Sequence, residues 1–408
     1  MASDLGIRGD LLRILGVQAL RAFAYGFGSV VLGTSLAAGG LSDARVGLLF
    51  AAMLAGAALS SIGVGLVAER VGRRRLYAAL LAVMGIAGAV YALTDAFVLL
   101  VLVALTGTLS TDPNESGPIT SLEQAMLGGA PAEERARVFG RYNAVAYLAG
   151  ALGALAGGGP ALFRHLFPAL AADQRWLLVF PVVAIACVWL AGGLSARVEA
   201  DGRAPARPLE RSRGTVMRLA ALFGLDAFAG GFVVTTFIVY WFDRRFGASP
   251  ETMGAVLFAG GLIQAGSSML SGRLAGRIGL LNTMVFTHLP SNVLLAVVPL
   301  MPMLPLAIAV LLLRFTLSQM DVPARQAYVV AMVDPAERTA AAAFTNTARY
   351  VVRPFGALGA GVAMQAVAVG APFVIAGCLK AVYDLALYAT FRRVPLPGAG
   401  GVSPRPSA

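Results

Sequence analysis

The sequence predicts an all-α integral membrane protein with twelve transmembrane helices, arranged as two pseudo-symmetric six-helix bundles. Three observations predict this fold: the composition is strongly apolar, twelve apolar segments recur along the chain, and the second six segments repeat the first six. Of the 408 residues, 58% are hydrophobic and only 13% are charged, whereas a soluble domain carries about 25% charged residues. The lipid bilayer is therefore the expected environment of most of the chain.

Each apolar segment is a candidate membrane helix, because about 20 helical residues span the hydrocarbon core. We place the twelve segments at residues 13–37, 45–68, 76–94, 97–128, 138–160, 176–196, 217–241, 251–275, 283–302, 304–328, 339–367 and 371–391. The fourth segment contains Pro113 and Pro118, so a break in the helix is expected inside it.

Arginine residues are concentrated in alternate loops, and this asymmetry predicts the orientation of the chain. One set of loops, together with the C-terminal tail, carries Arg70, Arg73, Arg74, Arg75, Arg135, Arg137, Arg197, Arg203, Arg207, Arg211, Arg213, Arg277, Arg338, Arg392 and Arg393. Cytoplasmic loops of membrane proteins carry an excess of Lys and Arg. We therefore expect a multi-pass protein of a bacterial inner (plasma) membrane, with both termini in the cytoplasm.

A polar stretch from Ser195 to Gly214 interrupts the chain after the sixth segment and is rich in Pro, Gly and Arg. Such a composition is typical of a flexible linker. We expect an N-terminal bundle at 1–197, a cytoplasmic linker at 198–216, a C-terminal bundle at 217–395 and a flexible cytoplasmic tail at 396–408.

The two halves of the chain resemble each other at matched positions. The stretch "ALRAFAYGF", Ala19–Phe27, returns about 205 residues later as "GLDAFAGGF", Gly224–Phe232. Further matches follow in the same order, and they join Ser60–Gly72 to Ser267–Gly279, Thr108–Pro113 to Thr316–Pro323, and Gly153–Leu155 to Gly356–Leu358. The order predicts a duplicated six-helix unit. Because each copy has an even number of helices, both have the same topology and are related by an axis along the membrane normal.

The loop after the second segment reads "GLVAERVGRRR", Gly65–Arg75. It resembles the cytoplasmic loop signature of the major facilitator superfamily, with a glutamate in the place of an aspartate. The matching positions are Gly65, Glu69, Arg70, Gly72 and Arg73. The resemblance implies a secondary transporter in which this loop is a cytoplasmic gate, because a contact made in only one packing of the halves biases the equilibrium between two states. The alternative is a solvated charge cluster that only sets the topology.

Ionisable side chains inside a bilayer are costly and usually face a cavity or one another. In the family fold, the first, fourth, seventh and tenth helices line a central cavity, and the eleventh segment adds a polar stripe at helical spacing. The resemblance therefore implies a substrate or proton cavity that is formed by Arg21, Asp112, Glu115, Asp226, Arg314, Asp321, Asn346, Arg349 and Arg353. The alternative for each residue is an ion pair that only holds helices together.

Arg21 and Asp226 occupy equivalent places in the repeat and carry opposite charges. We expect them to pair across the interface between the halves and to separate when the halves rock. Glu123 and Arg325 lie near helix ends, so we expect their side chains to snorkel to the membrane interface. For His288 we expect packing rather than a proton relay.

Proton-coupled secondary active transport of a small molecule by alternating access is the function that this pattern favours, with efflux by antiport as the direction. A carboxylate whose arginine partner moves away changes its affinity for a proton. The run "GALGALAGGGP", Gly150–Pro160, keeps only part of the family's antiporter signature. The alternatives are a proton-driven uptake symporter of a small metabolite or ion, and a non-transporting sensor or scaffold on the same fold.

We expect no enzyme activity, no metal and no cofactor, with the proton gradient as the driving force. Cys187 and Cys378 lie alone in separate apolar segments, and the sequence contains no recognisable phosphate-binding loop. The net charge of +11 is located mainly in membrane loops, which argues against nucleic acid as a partner. The expected partners are a small-molecule substrate, protons and the lipid bilayer, and the expected state is a monomer.

Overall fold

The computed structural model describes residues 2–110, 117–127, 132–167, 173–199, 209–334 and 337–394. These residues form sixteen α-helices and three short 3-10 helices, with no strand among them. The N-terminal half contains α1 (Ala2–Ala38), α2 (Asp43–Val71), α3 (Arg73–Leu93), α4 (Phe97–Ala104), α5 (Pro118–Leu127), α6 (Ala132–Gly157), α7 (Gly159–Leu166) and α8 (Val179–Gly192). The C-terminal half contains α9 (Arg213–Phe232), α10 (Thr235–Phe246), α11 (Pro250–Ile278), α12 (Leu280–Val297), α13 (Leu304–Leu317), α14 (Asp321–Met332), α15 (Arg338–Ala366) and α16 (Ala371–Phe391).

The described helices fit the twelve-helix, two-bundle architecture. Ten of the helical stretches in the described part of the chain are long and apolar enough to cross a membrane. The fourth predicted segment is divided into α4 and α5 on either side of residues 111–116, which lie outside the described residues. The eleventh is α15, a helix of 29 residues that includes Arg349 and Arg353. The fourth and eleventh segments, which are not among the ten spans, are thus also helical where the structure describes them.

Two predicted segments are broken inside the C-terminal half. α9 ends at Phe232 and α10 begins at Thr235, with Val234 in an extended conformation (φ −85°, ψ 160°) between them. α13 ends at Leu317 and α14 begins at Asp321. The second break places an aspartate in the first turn of a helix, where unpaired backbone N–H groups favour a negative charge.

Equivalent helices pack in the same way in both halves. α1 packs against α6 and α8, and α9 packs against α15 and α16. The helices cross at glycine: a Cβ at Gly26 would lie 2.0 Å from the carbonyl oxygen of Gly150, and one at Gly231 would lie 2.1 Å from that of Arg353. Gly26 and Gly231 occupy equivalent positions in the repeat, so the sequence repeat is also a repeat of helix packing.

The halves meet where α2 packs on α15, α6 on α11 and α1 on α10. Close contacts seal the end of the bundle at which α1 ends and α2 begins, which we call the closed end. A Cβ at Gly47 would lie only 2.4 Å from the Cα of Gly361. Nearby, the Tyr240 hydroxyl donates a hydrogen bond to Asp43 Oδ1 at 2.6 Å. Closure of this end therefore depends on direct backbone approach and on a polar contact between the halves.

Glu337, in the loop between α14 and α15, binds the backbone just before α9, at the start of the C-terminal half. Its carboxylate accepts hydrogen bonds from the backbone N–H groups of Glu210, Arg211 and Ser212 at 2.9, 2.8 and 2.8 Å. These backbone hydrogen bonds, that of Glu210 first, lower the pKa of Glu337 from 4.5 to about 2. Residues 200–208 and 395–408 lie outside the described residues, so the boundaries of the linker and tail stay predictions.

Candidate functional site

A cavity of about 390 Å³ lies between the two halves at the depth of Asp226. Its polar lining consists of Ser29, Tyr147, Asp226, Thr235, Gln264, His288, Arg314, Ser318, Gln319, Asp321, Arg325, Arg349, Arg353 and Lys380. The Tyr147 hydroxyl of α6 lies 3.3 Å from Gln319 Oε1, to which it donates across the interface between the halves. Among the described residues, all the charged side chains of this lining belong to the C-terminal half.

Asp226 of α9 is the centre of the charged cluster and is only 3% exposed. Lys380 Nζ of α16 donates to Asp226 Oδ1 at 2.5 Å. Arg325 Nη1 of α14 and Arg349 Nη1 of α15 both donate to Oδ2 at 3.2 Å. Charge-assisted hydrogen bonds of this kind offset the cost of burying a carboxylate. Three cations from three helices thus share one carboxylate, and a shift of any of these helices changes its partners.

Asp321 supplies the second carboxylate of the cluster. The break between α13 and α14 places it in the first turn of α14, and Arg325 lies one turn later on the same face. Arg325 Nη1, which donates to Asp226, is 3.4 Å from Asp321 Oδ2. Arg325 therefore bridges two carboxylates, and its displacement would change the charge environment of both.

His288 of α12 connects Asp226 to a further buried carboxylate, Asp384 of α16. Its Nδ1 lies 2.9 Å from Asp384 Oδ1, and its Nε2 lies 3.9 Å from Asp226 Oδ1. Asn292 Nδ2 donates to Asp384 Oδ2 at 2.9 Å. The described residues include no group of three or more His, Cys, Asp or Glu side chains suited to a metal ion. His288, which lines the cavity, is therefore joined to Asp384 by a hydrogen bond at Nδ1.

The cavity brings together five of the nine residues predicted to form it, namely Asp226, Arg314, Asp321, Arg349 and Arg353. Asp112 and Glu115 fall within residues 111–116, outside the described part of the chain. Asn346 is exposed and is not part of the lining. It lies one turn nearer the start of α15 than Arg349, away from the closed end. The predicted stripe therefore contributes its two arginines and not its asparagine.

Arg21 lies inside the N-terminal half and is not part of the lining of the central cavity. Its guanidinium donates to Glu123 Oε2 of α5 at 2.5 Å. The hydroxyls of Tyr77 and Tyr142 donate to the same carboxylate at 2.7 and 2.5 Å. Arg21 is 2% exposed and Glu123 is 0% exposed. This ion pair is therefore fully enclosed by α1, α3, α5 and α6.

The predicted ion pair between Arg21 and Asp226 is wrong, because each charge has its partner in its own half. Arg21 on α1 pairs with Glu123 on α5, and Asp226 on α9 pairs with Arg325 on α14. The first segment thus forms an ion pair with the fourth, and the seventh forms the equivalent ion pair with the tenth, with the signs of the charges reversed. A buried charge left without its partner is strongly destabilising. Pairing within one bundle avoids that situation whenever the halves move apart.

Two other expectations, those for Glu123 and Arg325, are wrong for the same reason, which is that buried charges are paired inside the bundles. Glu123 and Arg325 do not snorkel to the membrane interface but form buried ion pairs. His288 does more than pack, since it joins a polar network. Lys380 is absent from the predicted set, although it is the only lysine in the chain. Its place in the middle of a 21-residue apolar helix is the signal that could have identified it.

The loop motif shapes the turn between α2 and α3. Gly72 has φ +91°, a conformation that favours glycine. The backbone N–H groups of Arg73 and Arg74 at the start of α3 donate to the carboxylate of Glu199 at 2.6 and 3.3 Å. Glu69 and Arg70 are exposed and form no ion pair with any residue that the structure describes. The described residues therefore show no gate contact, and the gate role of Gly65, Glu69, Arg70, Gly72 and Arg73 stays a prediction.

Comparisons with known proteins agree with this architecture. The sequence model of the Major Facilitator Superfamily matches residues 14–357. An uncharacterized membrane protein of Saccharomyces cerevisiae is 26% identical over 413 residues, which cover 91% of this chain and 92% of that protein.

Two solved structures show the same fold. A mutant of the nucleoside transporter NupG has a TM-score of 0.74 at 13% identity, covering 93% of this chain and 99% of that chain. A bacterial homolog of the human lysosomal transporter Spinster, in an inward-facing and occupied conformation, has a TM-score of 0.73 at 17% identity, covering 94% and 96%. At such low identity the likeness concerns the fold alone.

Proposed function

Because the chain belongs to the Major Facilitator Superfamily, we propose that it is a proton-coupled secondary transporter, which moves a small molecule across the membrane by alternating access. The observation that carries this proposal is the position of Asp226. It is a buried carboxylate at the cavity between the halves, held by cations of α14, α15 and α16. Ionisable groups in such positions mark substrate and proton pathways in membrane proteins.

Asp226 offers a means of coupling a proton to a conformational change. Nearby cations favour the ionised form of a carboxylate, and withdrawal of a cation favours the protonated form. Arg325, Arg349 and Lys380 are carried by three different helices. Since all four helices belong to one half, Asp226 loses or regains cations when these helices rearrange within that half or when a ligand competes for the cations, and it therefore takes up or releases a proton.

The closed end suggests which state of the cycle this structure represents. The excess of arginine in the loops at the opposite end of the bundle favours the cytoplasm for that end. We therefore propose an inward-facing state of a protein in the plasma membrane of a bacterium, with both termini in the cytoplasm. The cavity is formed within one chain, which supports a monomer as the transporting unit.

Two directions of transport are candidates. Export in exchange for protons is the direction favoured by the sequence. Cotransport of substrate and proton is the second candidate, and the contacts of Asp226 favour it. A ligand that engages Arg349 and Lys380 competes with Asp226 for these cations, so the freed carboxylate binds a proton together with the ligand.

Reconstitution into vesicles that enclose a pH-sensitive dye tests the proposal. An imposed pH gradient should drive accumulation of a transported compound, and the compound's own gradient should move protons. Asp226→Asn should abolish both effects, whereas Asp10→Asn should not, because Asp10 is a buried carboxylate that binds Ser195 outside the cavity. The direction of proton movement separates export from cotransport. Binding of a compound without any movement of compound or protons would identify a sensor or scaffold instead.

A further inference from the structure

We propose that the cavity binds a small organic anion. A carboxylate or phosphate group of this ligand engages the cations of the C-terminal wall, and its uncharged body rests on the N-terminal wall. The substrate of the proposed transporter is then an organic anion, so the inference rests on the proposed function for its physiological meaning. The chemistry of binding rests on the charges of the cavity alone.

The cavity has an excess of positive charge among the described residues. Five cationic side chains line it, namely Arg314, Arg325, Arg349, Arg353 and Lys380, and two carboxylates line it, namely Asp226 and Asp321. If Asp112 and Glu115 are counted together with Asp226 and Asp321, four carboxylates stand against five cations, and one positive charge remains. Like charges gathered in a site of low dielectric constant repel one another strongly. An anionic ligand relieves this repulsion, and a cationic ligand increases it.

Three of these cations already bind a carboxylate of the protein itself, that of Asp226. Lys380, Arg325 and Arg349 converge on the carboxylate of Asp226. A carboxylate or phosphate oxygen of a ligand presents the same acceptor geometry, and guanidinium groups bind such anions in a bidentate manner. Arg314 and Arg353 add two further guanidinium groups to the same wall. The wall is therefore suited to an oxyanion that replaces Asp226 as the acceptor.

The opposite wall is suited to the uncharged part of such a ligand. The N-terminal half contributes Ser29, Tyr147, Gly150, Ala151 and Ala154 to the lining. None of these side chains carries a formal charge, and three of them are glycine or alanine. The described residues of this wall can pack against an apolar or hydroxylated body and offer no charge that would neutralise a second charged group. A ligand with one anionic end and one neutral end matches both walls.

A matched set of compounds tests the class of ligand in purified protein. The probes are benzoate and phenyl phosphate as anions, benzyl alcohol and benzamide as neutral analogues, and benzylammonium as the cation. We expect the two anions at millimolar concentration to raise the thermal midpoint, since a ligand that binds only the folded state stabilises it. We expect Arg353→Gln to abolish this increase. The control Arg273→Gln, an exposed arginine on α11 outside the cavity, should leave it unchanged.

Chemical modification of Lys380 gives a second readout that needs no variant. Lys380 is the only lysine, so acetylation by acetic anhydride can be followed by mass spectrometry of one peptide. An anion that fills the cavity should shield this amine. At about ten times Kd the rate should fall roughly tenfold, because about one site in eleven is then empty.

The outcomes are distinct. Stabilisation and shielding by benzoate or phenyl phosphate, but not by their neutral and cationic analogues, supports the proposal. Equal effects of the neutral or cationic compounds overturn it, and so does a failure of both anions to stabilise or shield. Anion binding without transport in vesicles would remove the transport function and leave the anion site. Proton-coupled transport of a neutral compound, with no anion binding, would remove the anion site and leave the transport function.

Discussion

Removal of the Glu123 carboxylate, which is buried inside the N-terminal half, is the change whose consequence the structure defines best. Glu123→Gln leaves Arg21, which is 2% exposed, without the counter-charge at 2.5 Å. Breaking a buried ion pair on one side costs about 3–5 kcal/mol, because the remaining charge is uncompensated. For a unit of the size of one half, this cost lowers the thermal midpoint by roughly 6–20 °C. The measurement is the thermal midpoint in detergent, followed by intrinsic fluorescence.

The companion variants make this a double-mutant cycle. Arg21→Gln should be less harmful than Glu123→Gln, because a carboxylate can neutralise itself by taking up a proton and a guanidinium cannot. The double variant Arg21→Gln/Glu123→Gln removes both charges and should be more stable than Glu123→Gln alone. The control Glu69→Gln removes an exposed carboxylate and should change stability by no more than about 0.5 kcal/mol. A double variant as unstable as the sum of the two single variants would refute the reasoning.

Charge reversal separates pairing within a half from pairing between halves. Arg21→Glu combined with Glu123→Arg keeps an ion pair inside the N-terminal half. Arg21→Asp combined with Asp226→Arg leaves like charges facing each other in both halves, because Glu123 and Arg325 are unchanged. We therefore expect the first double variant to be more stable than the second. The opposite order would show that Arg21 and Asp226 depend on each other after all.

Three further predictions concern the cavity, the closed end and the linker. Asp226→Asn should abolish proton-coupled transport in vesicles while anion binding, measured by thermal shift, persists; loss of binding as well would contradict the assignment of Asp226 to the proton. Gly47→Leu should prevent closure, because even a Cβ at this position would lie 2.4 Å from the Cα of Gly361. A cysteine engineered at the closed end should then react faster with a thiol reagent. Gly63→Leu is the matched control, because a Cβ at Gly63 would have no atom within 4 Å. Glu337→Gln should lower the thermal midpoint at neutral pH. Because the pKa of Glu337 is lowered to about 2 from 4.5, the stabilising effect is complete above pH 4.5 and is lost as the pH falls towards 2, so the difference from wild type should narrow over that range.

The fold could be predicted from the sequence because a helix that spans the lipid bilayer needs about 20 mostly apolar residues. Apolar runs of helical length and the repeat at about 205 residues place the helices and relate the halves. For the break before Asp321 the sequence does carry a signal, which is Pro323 in the first turn of α14. The break at Val234 was not visible, because β-branched residues such as Val233 and Val234 are compatible with both helix and extended backbone. Tertiary packing decides between them.

The site could be predicted only in part, because sequence shows where a charge lies along a helix but not which helix it meets. Asp226 and Arg349, two members of the predicted set, line the cavity. Arg21 and Glu123 both lie in long apolar stretches, and nothing in the sequence shows that they face each other across 102 residues. Lys380 could have been found, since a lone lysine in an apolar helix needs a buried partner.

Proton exchange on ligand binding tests the central claim most directly, which is that an anion displaces cations from Asp226 and the carboxylate then takes a proton. The number of protons bound with each anion is obtained by isothermal titration in two buffers of different ionisation enthalpy. With benzoate or phenyl phosphate we predict uptake of about one proton per anion in the wild type and none in Asp226→Asn, by linkage between the two ligands. Proton release on binding, or an uptake that Asp226→Asn leaves unchanged, would contradict the account.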